Sequence, residues 1–178
     1  MRIVLGVAIV MAVGCGSGSD ADAGPTQTSA LAAGFRSARV DATLESASRV
    51  VRTRGFAAEG DAWRGFLIEQ GTDVRPLPLR TGSCYVVVGV GSTALRELEL
   101  RIFDGDGGEV ARDGEQGPIA ALRFCPAQNG TYYAVSRAAA GSGLYSAREF
   151  RGPTGLAFRM DDVLRAITPV TPAERDPG

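Results

Sequence analysis

Eight short runs of β-prone residues, separated by Gly, Pro and Asp, constrain the fold of this chain more than any other feature. The runs occupy residues 63–70, 74–79, 84–90, 95–103, 109–111, 120–125, 131–137 and 145–150. Asp-Gly and Asn-Gly pairs at 104–105, 106–107 and 129–130 are typical of the tight turns that reverse a strand. Several short strands with turns at this spacing predict a mainly β chain built as an antiparallel β-sandwich.

Two of these runs also predict how deeply they are buried. In the run 95–103, Leu98, Leu100 and Ile102 alternate with Glu97, Glu99 and Arg101. A period of two is typical of a strand with one face in the core and the other in water. Residues 85–88, by contrast, are apolar on both faces, and we therefore expect them to form a central strand.

A helical period precedes the β region, because Val40, Leu44, Ala47 and Val51 recur at helical spacing. Asp41 is placed to cap the start of this helix. The pattern predicts one N-terminal amphipathic helix near residues 41–53, within a helical segment assigned to 29–56. Three Arg residues in its last turns suit the helix dipole, and a solvated helix end is favoured over a membrane-surface role.

The β-sandwich domain is assigned to 57–152 and a C-terminal extension to 153–178. Within the extension, Asp161 and Asp162 stand in the first turn of a short helix expected at 160–167, and Pro169 follows its end. The tail after Thr168 is expected to be disordered. The extension as a whole is therefore predicted to be partly ordered.

The N-terminal segment has the order of parts found in a cleavable export signal. Arg2 is followed by the apolar run 3–13, and small residues stand just before Cys15. The run is shorter than the stretch of about 20 apolar residues that crosses a bilayer. This arrangement resembles a bacterial lipoprotein precursor, with a signal peptide at 1–14, a lipidation site at Cys15 that would carry palmitate, and a flexible tether at 15–28.

The residue after the acylated cysteine bears on which membrane would hold the protein. In enterobacterial lipoproteins an Asp at this position retains the protein at the inner membrane, and Gly16 stands there in this chain. We therefore expect an exported, membrane-anchored protein of the outer membrane that faces the periplasm or the exterior.

The absence of Lys and His excludes many reactions. Without Lys there is no Schiff-base nucleophile or phosphate-binding lysine, and without His there is no imidazole base or His-based zinc site. Carboxylate catalysis survives, and its candidates are Glu97, Glu99, Asp104, Asp106 and Asp113. All five are predicted on a solvent face or in a turn, which favours a non-enzyme. The net charge of -1 argues against a nucleic-acid partner.

Cys84 and Cys125 remain as a pair once Cys15 is assigned to the lipid. Exported proteins form disulfides readily, so we predict that the two are joined. In the chain-entropy model such a bond would stabilise the fold by about 4 kcal/mol. The alternative is two unpaired, buried thiols.

Six motifs together resemble a known domain type. They are Gly-Ser-Cys-Tyr at 82–85, Leu-Glu-Leu-Arg-Ile-Phe-Asp at 98–104, Val-Ala-Arg-Asp at 110–113, Phe-Cys-Pro at 124–126, Gly-Thr-Tyr at 130–132 and Gly-Ser-Gly-Leu-Tyr at 141–145. They resemble the small β-sandwich domains of secreted myxobacterial-type proteins, which are similar to the pre-peptidase C-terminal domain. The resemblance covers residues 60–151 and implies a jelly-roll sandwich with a non-catalytic binding or spacing role.

The chain departs from that pattern in its acidic residues. Glu97 and Glu99 stand where the family often has Asp, which puts a calcium site in that run in doubt. Glu149 stands where an apolar residue is expected in the last strand. We therefore expect the sheet edge there to be frayed or differently paired.

The sharpest metal candidate is the turn that contains Asp104 and Asp106, with Asp113 nearby, because carboxylate oxygens bind calcium. The spacing fails the calcium-loop template of an EF-hand, and an ordinary Asp-Gly hairpin turn is favoured. Four aromatic residues form a further candidate as a sugar-binding surface, although strand aromatics more often pack in a core. They are Trp63, Tyr132, Tyr133 and Tyr145.

These observations predict a lipid-anchored cell-envelope protein of non-catalytic binding or structural type. Its partners would be the membrane, through the lipid, and an envelope glycan or protein, and no cofactor is expected. The alternative is a carboxylate-dependent hydrolase or a calcium-assisted binder of envelope glycans.

Overall fold

The computed structural model describes residues 27–167. The predicted signal peptide at 1–14, the predicted lipidation site Cys15, most of the predicted tether and the residues from 168 onward lie outside the described residues. The elements in chain order are α1 (Gln27–Thr53), β1 (Ala57–Leu67), β2 (Thr72–Leu79), β3 (Ser83–Gly91), β4 (Leu95–Phe103), β5 (Glu109–Arg112), β6 (Ile119–Phe124), β7 (Gly130–Gly141), β8 (Gly143–Pro153) and α2 (Met160–Ile167).

The strands form two antiparallel sheets of four, in the orders β1-β8-β3-β6 and β2-β7-β4-β5. Strand β1 pairs with β8, β2 with β7, β3 with β6 and β4 with β5. The chain is therefore one long antiparallel ribbon that doubles back after β4 and wraps into two layers. This strand order is that of a jelly roll, and the predicted antiparallel sandwich is confirmed.

The core between the two sheets comes from residues with a period of two. Leu98, Leu100 and Ile102 of β4 are buried, whereas Glu99 and Arg101 between them face outward on the uncovered side. Tyr85 and Val87 of β3 face the same core from the opposite sheet. The alternation predicted for this run is confirmed.

A second apolar layer lies outside the sheet β1-β8-β3-β6, which we call the helix-covered sheet. Val86 and Val88 point away from the sandwich core and lie in one buried cluster with Leu44 and Val51 of α1 and Val163 of α2. Strand β3 is thus buried on both faces, as predicted for a central strand. The other sheet, β2-β7-β4-β5, has no described helix over its outer face, and we call it the bare sheet.

Ion pairs join helix α1 to strands of the helix-covered sheet. Asp41 of α1 binds Arg64 of β1 at 2.8 Å, and Glu45 of α1 binds Arg148 of β8 at 3.1 Å. Exposed pairs contribute little to stability, so the buried apolar layer holds the helix and these pairs orient it.

Helix α1 begins at Gln27, well before the predicted start at residue 41. Residues 27–40 lack a strong apolar period, but several are Ala, which has the highest helix propensity. The high helix propensity of Ala therefore extends the helix over residues 27–40, where the hydrophobic spacing does not predict one. Neither of the helices described in residues 27–167 combines the length and the apolarity needed to cross a membrane.

The expectation of a frayed edge at Glu149 is wrong. Strand β8 lies between β1 and β3, and Glu149 pairs with Glu59 on one side and with Val87 on the other. The side chain is on the core-facing side with Tyr145 and is 8% exposed. Burial, together with the nearby Glu59 carboxylate, raises the pKa of Glu149 to about 7. The fold therefore favours the protonated form of this buried carboxyl, and its ionisation at higher pH costs stability.

Candidate binding cleft at one end of the sandwich

The strand directions divide the loops between two ends of the sandwich. Tyr85 pairs with Phe124 and Phe103 pairs with Tyr133, so the start of β3, the end of β6, the β4–β5 turn and the start of β7 share one end. We call this the disulfide end, because Cys84 and Cys125 lie there. The loops β1–β2, β3–β4, β5–β6 and β7–β8 lie at the opposite end.

Helix α1 approaches the sandwich from that opposite end. Val40 and Thr43 border a small groove with Val90 and Ile119. Just beyond the C-terminal end of the helix, Phe56 lies against Gly152 near the disulfide end, so closely that a Cβ at Gly152 would come within 2.7 Å of the Phe56 ring. The chain therefore joins the sandwich at one end and runs along it toward the disulfide.

A cleft of about 410 Å³ opens at the disulfide end, between the β4–β5 turn and the β6–β7 loop. Its polar lining residues are Asp104, Asp106, Gln128, Asn129, Thr131 and Tyr132, and its apolar ones include Val110 and Phe124. The volume falls within the range of sites that bind small molecules.

The turn on one side of the cleft is a well-formed Asp-Gly reversal. Asp104 Oδ1 accepts hydrogen bonds from the backbone N–H groups of Asp106 at 3.1 Å and Gly108 at 2.7 Å. Gly107 has a φ of 84°, a conformation that L side chains rarely adopt. The favoured sequence interpretation, a hairpin turn at this Asp, agrees with this geometry.

The other side of the cleft is held by side-chain bonds and ring contacts. Asn129 Oδ1 accepts from the backbone N–H of Thr81 at 2.9 Å, and the Tyr132 hydroxyl donates to the carbonyl of Gln128 at 3.2 Å. The rings of Phe124 and Tyr132 lie 5.2 Å apart. The cleft thus has an aromatic base and polar walls, which suits a ligand with both apolar and hydrogen-bonding faces.

The disulfide forms part of the same wall. Cys84 and Cys125 are bonded with a Cα separation of 4.1 Å, which confirms the predicted pairing. Cys84 is completely buried in the layer under the helices, whereas Cys125 is exposed and lines the cleft. The bond ties the β6–β7 loop to Cys84, the second residue of β3.

The charge of the cleft is negative. Asp104 and Asp106 are its carboxylates, and none of the described residues that line it is basic. Two carboxylates oppose the binding of an anion and favour a neutral or cationic ligand.

Asp113 lies away from the other two calcium candidates. Its backbone N–H donates to Leu100 at 2.9 Å, far along the β4–β5 hairpin from the turn at Asp104. Asp113 is half-buried, not solvent-facing as expected, and burial raises its pKa to about 6 despite a bond from the Ala121 N–H at 3.3 Å. Within residues 27–167 no three Cys, Asp or Glu side chains gather as a metal site. The structure does not bring Asp104, Asp106 and Asp113 together, so the predicted calcium site on these three residues is not formed.

The Glu candidates lie on or beside the bare sheet, outside the cleft. Glu99 is bound by Arg101 at 2.8 Å and by Arg137 at 3.1 Å. Partial burial opposes ionisation of Glu99, but the two Arg partners outweigh it and lower its pKa. A carboxylate held ionised in this way is suited to orienting charges and poorly suited to donating a proton. Glu97 does not line the cleft either.

The four aromatic candidates do not form one surface. Trp63, Tyr132 and Tyr145 are buried in the sandwich core, and Tyr145 donates to Asp73 of the facing sheet. Tyr133 points outward from the bare sheet and is 37% exposed. Tyr132 alone among the four lines the cleft, from within the core.

Sequence reasoning missed Gln128 and Asn129 as cleft residues. The Asn-Gly pair at 129–130 signals a turn, but nothing local to it shows that this turn faces Asp104 from another strand pair. The pairing of β4 with β7 and of β3 with β6 brings the β6–β7 loop next to the β4–β5 turn.

No family model matches the chain, and no curated protein sequence matches it. Among the solved structures that match it, two are each similar to about half of this chain. One is the pre-peptidase C-terminal domain of a collagenase from Bacillus anthracis, with 17% identity and a TM-score of 0.42 over 50% of this chain and 87% of that one. The other is Aeromonas hydrophila PliG, a periplasmic inhibitor of g-type lysozyme, with 14% identity and a TM-score of 0.40 over 53% of this chain and 86% of that one. Neither likeness assigns a function at these TM-scores.

Proposed function

We propose that this protein is a lipid-anchored, non-catalytic binding module of the cell envelope, and that its binding site is the cleft at the disulfide end. The observation that carries the proposal is the placement of the cleft at the end of the sandwich farthest from the start of α1. A binding site and a tether at opposite ends are what a surface-displayed module requires.

The geometry of α1 supports this orientation. Residues 37–43 already border the strand ends opposite the cleft, and ten further helical residues, 27–36, precede them. At about 1.5 Å per residue those ten residues add roughly 15 Å of helix. With Cys15 acylated, the chain between the lipid and the sandwich would act as a spacer, and the cleft would face away from the membrane. The absence of Asp at position 16 supports the outer membrane as the site of anchoring.

The chemistry of the cleft supports a neutral or cationic envelope glycan as the ligand. Sugar rings present hydroxyl groups to carboxylates and amides, which Asp104, Asp106 and Gln128 supply, and C–H faces to aromatic side chains, which Phe124 and Tyr132 supply. Amino sugars add a positive charge that the two carboxylates favour.

Anchoring is tested by metabolic labelling. Cys15→Ala should abolish palmitate incorporation and release the protein from the membrane fraction, whereas Cys125→Ala should keep the label. Palmitate labelling that persists in the Cys15 variant would contradict lipidation at this cysteine.

Binding is tested by calorimetric titration of the folded protein with muropeptides, chitosan oligomers and neutral oligosaccharides. Asp106→Asn and Gln128→Ala should each weaken binding by about two- to tenfold, as expected for the loss of one hydrogen bond. Asp61→Asn in β1 makes the same charge change away from the cleft and should leave affinity unchanged. No binding to any glycan would contradict the ligand class, and turnover of a glycan would favour the hydrolase alternative.

A further inference from the structure

The two sulfurs of the disulfide have unequal surroundings. Cys84 is 0% exposed, beneath the helices, whereas Cys125 is exposed and borders the cleft. An incoming nucleophile therefore has access to Cys125 and not to Cys84. In thiol–disulfide exchange the sulfur that is not attacked departs as a thiolate, so attack at Cys125 makes Cys84 the leaving group.

A guanidinium stands beside that leaving group. Arg123 donates from Nη2 to Cys84 Sγ at 3.1 Å and to the carbonyl oxygen of Thr154 at 2.8 Å. The bond to Thr154 fixes the cation against the sulfur. A positive charge in hydrogen-bond contact stabilises a thiolate, which apolar surroundings alone would destabilise. The guanidinium of Arg123 can therefore stabilise a negative charge on the buried sulfur of Cys84.

We propose that Cys125 is a site of thiol–disulfide exchange with a small-molecule thiol, and that Arg123 stabilises Cys84 as the departing thiolate. The incoming thiolate forms a bond to Cys125 Sγ while the Cys84–Cys125 bond breaks, and the electron pair of the broken bond stays on Cys84 Sγ. One disulfide replaces another, so this step has no net oxidation or reduction.

A second equivalent of thiol completes the reduction. It attacks the sulfur of the bound thiol, releases Cys125 as a thiolate and leaves as a small-molecule disulfide, so the protein gains the two electrons that the two thiols lose. A cleft of about 410 Å³ admits molecules of this size. The exchange does not depend on the glycan proposed above, because it requires only access to Cys125 and the cation beside Cys84.

The position of attack is tested in the unaltered protein. Native protein is treated with glutathione, quenched with acid after partial reaction, alkylated and mapped by mass spectrometry. The expected adduct is glutathione on Cys125 with Cys84 alkylated. Glutathione on Cys84, or no adduct while the fold is intact, would overturn the proposal.

The role of the cation is tested by the rate of reduction with glutathione, followed by maleimide gel shift below the unfolding transition. Arg123→Gln should slow the reaction at least about threefold, and Arg123→Lys should restore part of the rate because it returns a positive charge. Arg151→Gln is the matched control, because Arg151 is a second Arg near Cys84 and its Nε donates to the hydroxyl of neighbouring Ser83 at 2.9 Å. Equal rates in all four proteins would overturn the assigned role of Arg123, and the mapping experiment stands even where a variant does not fold.

Discussion

The two sheets of the sandwich share one core but differ in how their outer faces meet their surroundings. The helix-covered sheet has apolar side chains on both faces at β3, and α1 and α2 bury the outer face. The bare sheet has apolar residues on its inner face and a mixed outer face, where Val135 lies between Val74 and Arg101 and where Glu99 pairs with Arg137. A sheet that is apolar on both sides requires a cover, and one whose outer face carries polar and charged side chains can face water.

The disulfide belongs to the helix-covered sheet and is expected to have the largest effect on stability. Replacing both Cys84 and Cys125 with Ala should lower the free energy of unfolding by about 4 kcal/mol, because the bond closes a long loop in the unfolded chain. Urea unfolding of the oxidised protein and of the double variant measures this. A loss below about 1 kcal/mol would show that the covered sheet is held by its apolar layers alone.

The cover itself is tested by Leu44→Ala in α1. Leu44 is 3% exposed and packs in the layer against β3, so its truncation should cost about 3 kcal/mol through lost burial and a residual cavity. Thermal and urea unfolding measure the change. If Leu44→Ala has no effect, α1 does not complete the covered sheet in solution.

Two Glu residues, one in each sheet, should respond to pH with opposite signs. The pKa of Glu149 is raised to about 7, so its folded form prefers the proton and the wild-type chain loses stability as the pH rises from about 4.5 through 7. Glu149→Gln removes this titration and should raise the free energy of unfolding at pH 8 by about 2 kcal/mol, with little change at pH 5.

Glu99, in the bare sheet, should show the opposite pH dependence of stability. Because its pKa is lowered, the ionised form stabilises the fold above the ordinary carboxyl pKa, and this stability is lost as the pH falls through the lowered pKa. Glu99→Gln should therefore destabilise the protein at neutral pH, and the difference should shrink in acid. Urea unfolding of both variants at pH 5 and pH 8 makes the comparison, and changes of the same sign in the two variants would contradict it.

The smallest effect is expected on the outer face of the bare sheet. Val74 is 51% exposed, and Val74→Ala should change the free energy of unfolding by less than about 0.5 kcal/mol. Set beside Leu44→Ala, this variant measures the energetic difference between the two outer faces. A loss as large as that of Leu44→Ala would show that the bare face is covered in solution.

The strands and the central position of β3 could be predicted because periods of two and unbroken apolar runs are local signals. The start of α1 could not be predicted from hydrophobic spacing, since residues 27–40 are helical through propensity. The sequence pattern predicts a frayed edge at Glu149, and this is wrong because the burial of Glu149 follows from the pairing of β8 with both β1 and β3, which no local pattern encodes.

The composition of the cleft could likewise be predicted only in part from local sequence patterns. The Asp-Gly pairs predict that Asp104 and Asp106 are turn residues, but Gln128 lies on a separate loop, and only the completed topology brings that loop opposite the turn. The disulfide was predictable because the number of cysteines and the expected compartment sufficed, without knowledge of the geometry.

The wrapped ribbon also determines when this protein can fold. Its outermost pairing places Ala57 beside Arg151, so β1, the first strand to be synthesised, pairs with β8, the last. Chains dominated by such distant pairings fold slowly, because the entropy of closing the long loop is lost before its contacts form. The N-terminal strand cannot find its place until nearly the whole domain has left the ribosome. A chain that stays unfolded for that long is well suited to being threaded through a narrow channel before it folds.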